Sequence, residues 1–264
     1  MADTISALII GDIIGHPGMR ALFAGLSSLI KKYSADIVLV NAENAADGFG
    51  LSAEQAQKLL DMSVDVITTG NHIWHDESVF EFMDRSERIV RPANYPKGAP
   101  GKGSTLYDKG DITIGVLNIL GRQRLWTVDC PFKKATEELK KLRQKTNLIF
   151  VDFHAESTAE KEAMGFYLDG KVTAVVGTHT HVQTADERIL PGGTAYITDL
   201  GATSPEGTVI GFDAELAVKR VTTQVPHQLN VVDAPATICG VHVVADKSSG
   251  KALSIERLQV NMGL

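Results

Sequence analysis

Five short apolar runs each end on side chains able to bind a metal ion, and this pattern limits the fold more than any other feature. SALII (Ser6–Ile10) passes into Gly11-Asp12, and DIVLV (Asp36–Val40) into NAEN with Glu43 and Asn44. VDVITTG (Val64–Gly70) passes into Asn71-His72, LIFVDFH (Leu148–His154) closes on His154, and TAVVGTHTH (Thr173–His181) closes on His179 and His181. Apolar runs this short, bounded by glycine and polar clusters, read as buried strands. Helical stretches separate them: Met19–Tyr33, a segment opened by Ser52 as N-cap, Ser78–Met83, Lys133–Lys145 and Thr158–Leu168. The alternation predicts an α/β protein whose sheet is covered by helices. Beyond a helical segment at Asp213–Arg220, ICGVHVVAD and ALSIERLQV flank a turn at Ser248–Gly250, so the sheet is expected to be mixed. No internal repeat or linker divides the chain, which predicts one domain over residues 1–264. The proline- and glycine-rich Arg91–Gly103 reads as a long irregular loop opening a rim segment around 91–130.

In open α/β sheets, ligands bind outside the carboxyl ends of the strands. If these strands share an edge, their polar ends converge there. His179 and His181, two residues apart, would point the same way in extended chain. Carboxylate, amide and imidazole donors without thiolate suit Mn, Fe or Zn. So many ligands exceed what one first-row ion takes. They suit two ions sharing a carboxylate, able to clamp both oxygens of an in-line displacement at phosphorus. His16 and His75 lie near the cluster in sequence and are candidates for substrate contact, whereas His227 and His242 read as structural. Cys130 and Cys239 read as buried small apolar residues.

Other chemistries fail on spacing or charge. GAPGKGS (Gly98–Ser104) lacks the Lys-Ser/Thr pair of a P-loop, Gly11, Gly15 and Gly18 miss the dinucleotide fingerprint, and no G-x-S-x-G occurs. With 26 Lys and Arg against 32 Asp and Glu, the net charge of −6 argues against broad nucleic-acid binding. No run approaches the roughly 20 apolar residues of a membrane span, and no signal-peptide core is present, so a cytoplasmic protein is expected.

The set Gly11-Asp12, NAEN, GNH (Gly70–His72), DFH (Asp152–His154) and GTHTH (Gly177–His181) resembles the calcineurin-like metallophosphoesterases. The stretches NAENAADGFGL, TTGNHIW, RPANYP, PGKG and Asp152–Gly201 resemble their YmdB-like bacterial branch more specifically. The resemblance implies a four-layer αββα sandwich with mixed sheets, two transition-metal ions per chain (Fe or Mn, with Zn as the other choice), and homo-oligomers. It implies a phosphodiesterase acting on 2′,3′- or 3′,5′-cyclic nucleotides. By motif, Asp12, Glu43, Asn44 and His181 would surround one ion and Glu43, Asn71, His154 and His179 the other, with Glu43 bridging. A metal-bridging hydroxide would attack phosphorus, and His72 would protonate the leaving alkoxide. Arg91 and Lys102 are candidates for substrate contacts on the rim. Two departures from the superfamily pattern, Ile14 at the usual histidine position and Glu43 in place of an aspartate, belong to the branch. The other readings are a phosphomonoesterase or nucleotidase on the same scaffold, and a metal-loaded regulatory protein with incidental catalysis.

Overall fold

The computed structural model describes residues 3–263, so residues 1, 2 and 264 of the expected domain lie outside the described residues. One sheet contains β1 (Thr4–Ile10), β2 (Ile37–Asn41), β3 (Val66–Thr68), β4 (Ile89–Val90), β11 (Ser204–Pro205), β12 (Ala236–Asp246) and β13 (Ala252–Asn261). Its order is β11-β12-β1-β2-β3-β4, with β13 paired to β12. The second sheet runs β5 (Ser104–Lys109), β6 (Ile112–Leu120), β7 (Ile149–His154), β8 (Ala174–Thr178), β10 (Ala195–Ile197), β9 (Arg188–Ile189). Strands β1 to β4 are parallel, as are β6, β7, β8 and β10, while β12 runs antiparallel to β1. Both sheets are therefore mixed. The helices are α1 (Gly15–Tyr33), α2 (Ala53–Asp61), α3 (Ser78–Arg85), α4 (Pro131–Leu142), α5 (Thr158–Leu168) and α6 (Ala214–Thr223).

The period of two along each strand makes the layers. In β1, Ile5, Ala7 and Ile9 join Ile37 and Leu39 of β2 against Val116, Phe150 and Val176 of the other sheet. The intervening Leu8, Ile10, Val38 and Val40 turn to Leu22, Leu26 and Leu29 of α1 and to Leu59 of α2. On the far side, Ile149, Val151 and Phe153 of β7 pack with Leu139 of α4 and Met164 and Leu168 of α5. Three apolar seams between four layers are an αββα sandwich, with strands apolar on both faces as such burial demands.

Several local expectations are corrected. Helix α1 begins at Gly15, not Met19, because Pro17 fits a first helical turn where its missing N–H costs nothing. Helix α4 ends at Leu142. Strand β5 begins at Ser104, within a stretch whose half-exposed pattern carries little apolar signal. Cys239 is buried, but Cys130 is only partly so, sitting at the N-cap of α4. Ser52 caps α2 as expected, its hydroxyl accepting from the Gln55 N–H while the Gln55 side chain accepts from the Ser52 N–H.

Candidate metal centre

The five strands divide between the sheets: β1, β2 and β3 in one, β7 and β8 in the other. The sandwich lays both carboxyl edges over one another, and the polar ends meet across the gap. Asp12, Glu43, Asn44 and His154 are fully buried, and Asn71 nearly so. Ligating atoms of Glu43, His154 and His179 all lie within 4.8 Å of one another. His154 Nε2 is 3.0 Å from Glu43 Oε1, 3.1 Å from Asn71 Oδ1 and 3.1 Å from His179 Nδ1.

Hydrogen bonds behind the cluster decide which ring nitrogen faces it. Thr178 Oγ1 donates to Asp152 Oδ1, so it accepts from His154 Nδ1 at 2.8 Å and leaves Nε2 as the nitrogen that faces the cluster. His181 Nδ1 lies 3.1 Å from the Ile210 carbonyl, a pure acceptor, which turns His181 Nε2 toward the Asn44 amide at 3.3 Å. His179 Nε2 lies 3.2 Å from Glu156, leaving Nδ1 on the His154 side. Three imidazoles thus anchor one nitrogen in the protein and present the other, the arrangement that orients metal-ligating histidines. Lone pairs of this number gathered about a carboxylate repel unless a cation lies among them. Asp12 Oδ1, buried without a hydrogen-bond partner, is a further free donor atom beside them. Gly70 completes the cradle: a Cβ there would stand 2.3 Å from Glu43 Oε2 and 2.4 Å from His154 Nε2. The residues present therefore fit a metal centre.

Charges in the cluster are strongly perturbed. Burial alone would raise the Glu43 carboxyl, yet His154 and His72 hold it well below the usual carboxylate range. Burial lifts Asp12 to about 6. Burial opposes charge on His154, but Glu43 overrides it and raises His154 to about 9, and burial together with His154 pushes His179 down to about 3.

The route by which His179 and His181 arrive is not the expected one. Strand β8 stops at Thr178, and both histidines adopt positive φ, 95° and 65°, so they are not side by side on extended chain. The turn is held from below. Asp199 Oδ2 accepts from the Thr180 N–H at 3.1 Å, the Thr180 hydroxyl at 2.6 Å and the buried Lys161 ammonium at 2.7 Å. The His179 N–H also donates to Asp12 Oδ2 at 3.2 Å, tying the turn to the end of β1.

His72 follows Asn71 at the edge of the cluster. Its Nδ1 donates to Asn44 Oδ1 at 2.6 Å and lies 3.4 Å from Glu43 Oε1, while Nε2 bonds to no group among the described residues. Arg91 and Lys102 are not brought to the cluster. The Arg91 guanidinium donates to the carbonyls of Pro92, Ala99 and Pro100, closing its own loop, and Lys102 pairs with Glu87. His242 bonds to Ser6 and packs on Tyr33, and His16 bonds to Arg20. Thr178, Asp152, Glu156, Lys161 and Asp199 were not singled out in the sequence as site residues. Lys161 alone carries a sequence signal, a lysine in the same helical stripe as Met164, Gly165 and Leu168, all buried.

Comparison with known proteins gives matches over nearly the whole chain. The family model described as YmdB-like protein matches residues 8–258. A 2′,3′-cyclic-nucleotide 2′-phosphodiesterase of Bacillus subtilis is 44% identical over 254 residues, covering 96% of each chain. The crystal structure of a phosphatase from Mycoplasma pneumoniae superposes with a TM-score of 0.93 at 34% identity, covering 99% of this chain and 95% of that one. A 5′-nucleotidase from Staphylococcus aureus shares the fold alone, with a TM-score of 0.58 at 13% identity, covering 98% of this chain and 54% of the other. No helix among the described residues is long and apolar enough to cross a membrane. By these matches and its sandwich fold, the chain belongs to the YmdB-like family and is a metallophosphoesterase.

Proposed function

We propose that this enzyme is a metal-dependent phosphodiesterase that opens a 2′,3′-cyclic nucleotide by hydrolysis of its 2′ ester. The observation that carries the reading is the set of three imidazoles, each held through one nitrogen, with the other nitrogen of His154 and His179 beside Glu43 and that of His181 facing Asn44. The B. subtilis relative, named for that reaction, supports the substrate class. Asp12, Glu43, Asn44 and His181 would hold one ion and Glu43, Asn71, His154 and His179 the second; the mixed oxygen and nitrogen donors suit iron, manganese or zinc, and the family resemblance favours the first two. When bound, such a pair supplies positive charge that activates water and neutralises the phosphoryl oxygens.

The chain's own residues do the rest. Glu43, held ionised, provides the negative charge that two cations can share. Thr178 and Asp152 keep His154 neutral at Nε2 when a cation is present. Asn44 and Glu43 hold His72 by Nδ1, so Nε2 is the atom free to carry a proton to the departing ribose oxygen. Burial lowers the pKa of His72, making its cation a readier donor, while Glu43 opposes that loss. The oxygen of a water molecule bonds to phosphorus as the P–O2′ bond breaks, the proton from His72 goes to O2′, and the product is a nucleoside 3′-monophosphate.

The test is turnover of a 2′,3′-cyclic nucleotide, bis-p-nitrophenyl phosphate and p-nitrophenyl phosphate after defined loading with Mn, Fe or Zn. About two ions per chain and preference for the diesters are expected. Preference for the monoester would replace this reading with a phosphomonoesterase.

A further inference from the structure

Beside His72 opens a cleft of about 790 Å³ that the chemistry above does not use. Its wall includes Phe49 and His75, and both rings touch His72 edge-on, with centroids 5.0 and 5.3 Å away. Phe49 stands in a row of rings: Phe212 stacks on it at 5.4 Å and His75 at 5.9 Å, with interplanar angles of 23° and 25°. One end of the row, Phe212, is buried. The other end, His75, is exposed, and no further ring stacks on it among the described residues. Phe49 itself keeps 39% of its surface in water. An open-ended row of planar rings next to a reacting centre is a platform for another planar ring.

The remaining wall supplies polar edges. Asp47, Gln228 and Asn230 line the cleft, and their side chains make no hydrogen bond within the chain among the described residues. Carboxylate and amide groups left free in this way can read the donor and acceptor edge of a base. The volume suits one nucleoside, within the roughly 300–1,000 Å³ usual for small-ligand sites. Position agrees with chemistry: the Phe49 and His75 rings of the cleft flank His72, the residue assigned to protonate the leaving ribose oxygen.

We propose that this cleft is the nucleobase subsite of the enzyme, in which the base of the substrate continues the ring row at His75 and its edge is read by Asp47, Gln228 and Asn230. The assignment rests on the cyclic-nucleotide reading above.

The experiment compares adenosine 2′,3′-cyclic monophosphate with ribose 2′,3′-cyclic phosphate, which has the same ester ring and no base. Both are measured on the metal-loaded wild-type enzyme and on His75→Ala and His75→Phe. Adenosine, which has the base and no phosphate, is titrated onto the same proteins. The wild type is expected to favour the nucleotide about 5- to 160-fold in kcat/KM, the range for stacking one base. That preference and adenosine affinity should fall together in His75→Ala and be largely restored in His75→Phe, which keeps a ring. Equal kcat/KM for the two esters on the wild type, or adenosine binding unchanged in His75→Ala, overturns the subsite. Failure of the wild type to open either ester removes the cyclic-nucleotide reading instead, and the adenosine titration still decides the cleft.

Discussion

His72 and Glu43 lie 3.4 Å apart, yet removing each should leave a different signature. A ribose alkoxide is a poor leaving group and needs a proton, whereas p-nitrophenolate departs without one. His72→Ala is therefore expected to retain its metal and to slow a cyclic nucleotide about 10²–10⁴-fold, with a much smaller loss on bis-p-nitrophenyl phosphate. An equal loss on both substrates in metal-saturated protein would take the acid role away from His72. Glu43→Ala should empty both ion positions, because its carboxylate is the anion the two would share. His181→Ala should empty chiefly one, and metal analysis of the two purified variants separates these outcomes. The residues proposed as ligands were legible because each interrupts an apolar run where a strand must stop. Their supports were not: Thr68, Asn41 and Thr178 all bond to Asp152 from other strands, and Thr68 is 84 residues away. Such a polar knot exists only once the two sheets are stacked.

The connection from β8 carries two of the proposed ligands on a left-handed turn, and a helix on the outer layer holds it in place. Non-glycine residues at positive φ persist where their surroundings over-determine them. Here the surroundings are Asp199 and Lys161, both buried, gripping Thr180 between the two histidines. Lys161→Met keeps the bulk but leaves Asp199 charged and unpaired, which should destabilise folding by about 3 kcal/mol. It should also weaken metal binding through the loosened turn. Lys161→Met/Asp199→Asn removes the stranded charge and should recover much of the stability, read by denaturant unfolding. If metal affinity recovers fully as well, the pair has no part in setting the turn. The helices and most strands were readable from periodicity, and α5 begins and ends where the spacing predicts, at Thr158–Leu168. The turn was not, because alternation along TAVVGTHTH looks the same whether the strand ends at Thr178 or runs on to His181. Only Gly177, whose added Cβ would meet the Thr198 carbonyl oxygen at 1.8 Å, shows how tightly the next strand hems in the end of β8.

Across the whole molecule, the cluster sits between two sheets and its charge state bears on the stability of both. Without metal, a proton on His154 takes the place of a cation. Burial opposes that proton, but the Glu43 carboxylate 3.0 Å away outweighs burial and holds His154 at about 9, above the 6.5 of a free imidazole. The folded chain therefore keeps a proton that the unfolded chain has lost. This contribution is complete below pH 6.5 and disappears as pH rises through 9. Asp12 at about 6 and His179 at about 3 titrate below that window, and Glu43 lower still, so none of them opposes the trend. With metal bound, His154 Nε2 carries no proton in either condition, and the same proton competes with metal as pH falls. The metal-free protein should thus lose on the order of 5 °C in Tm between pH 6.5 and 9.5. The metal-loaded protein should lack this loss, so the stabilisation by metal grows across the interval. Thermal unfolding of both forms, with His154→Gln as control, reads the difference. Parallel curves for the two forms, or an unchanged slope in His154→Gln, would place the linked proton on another group.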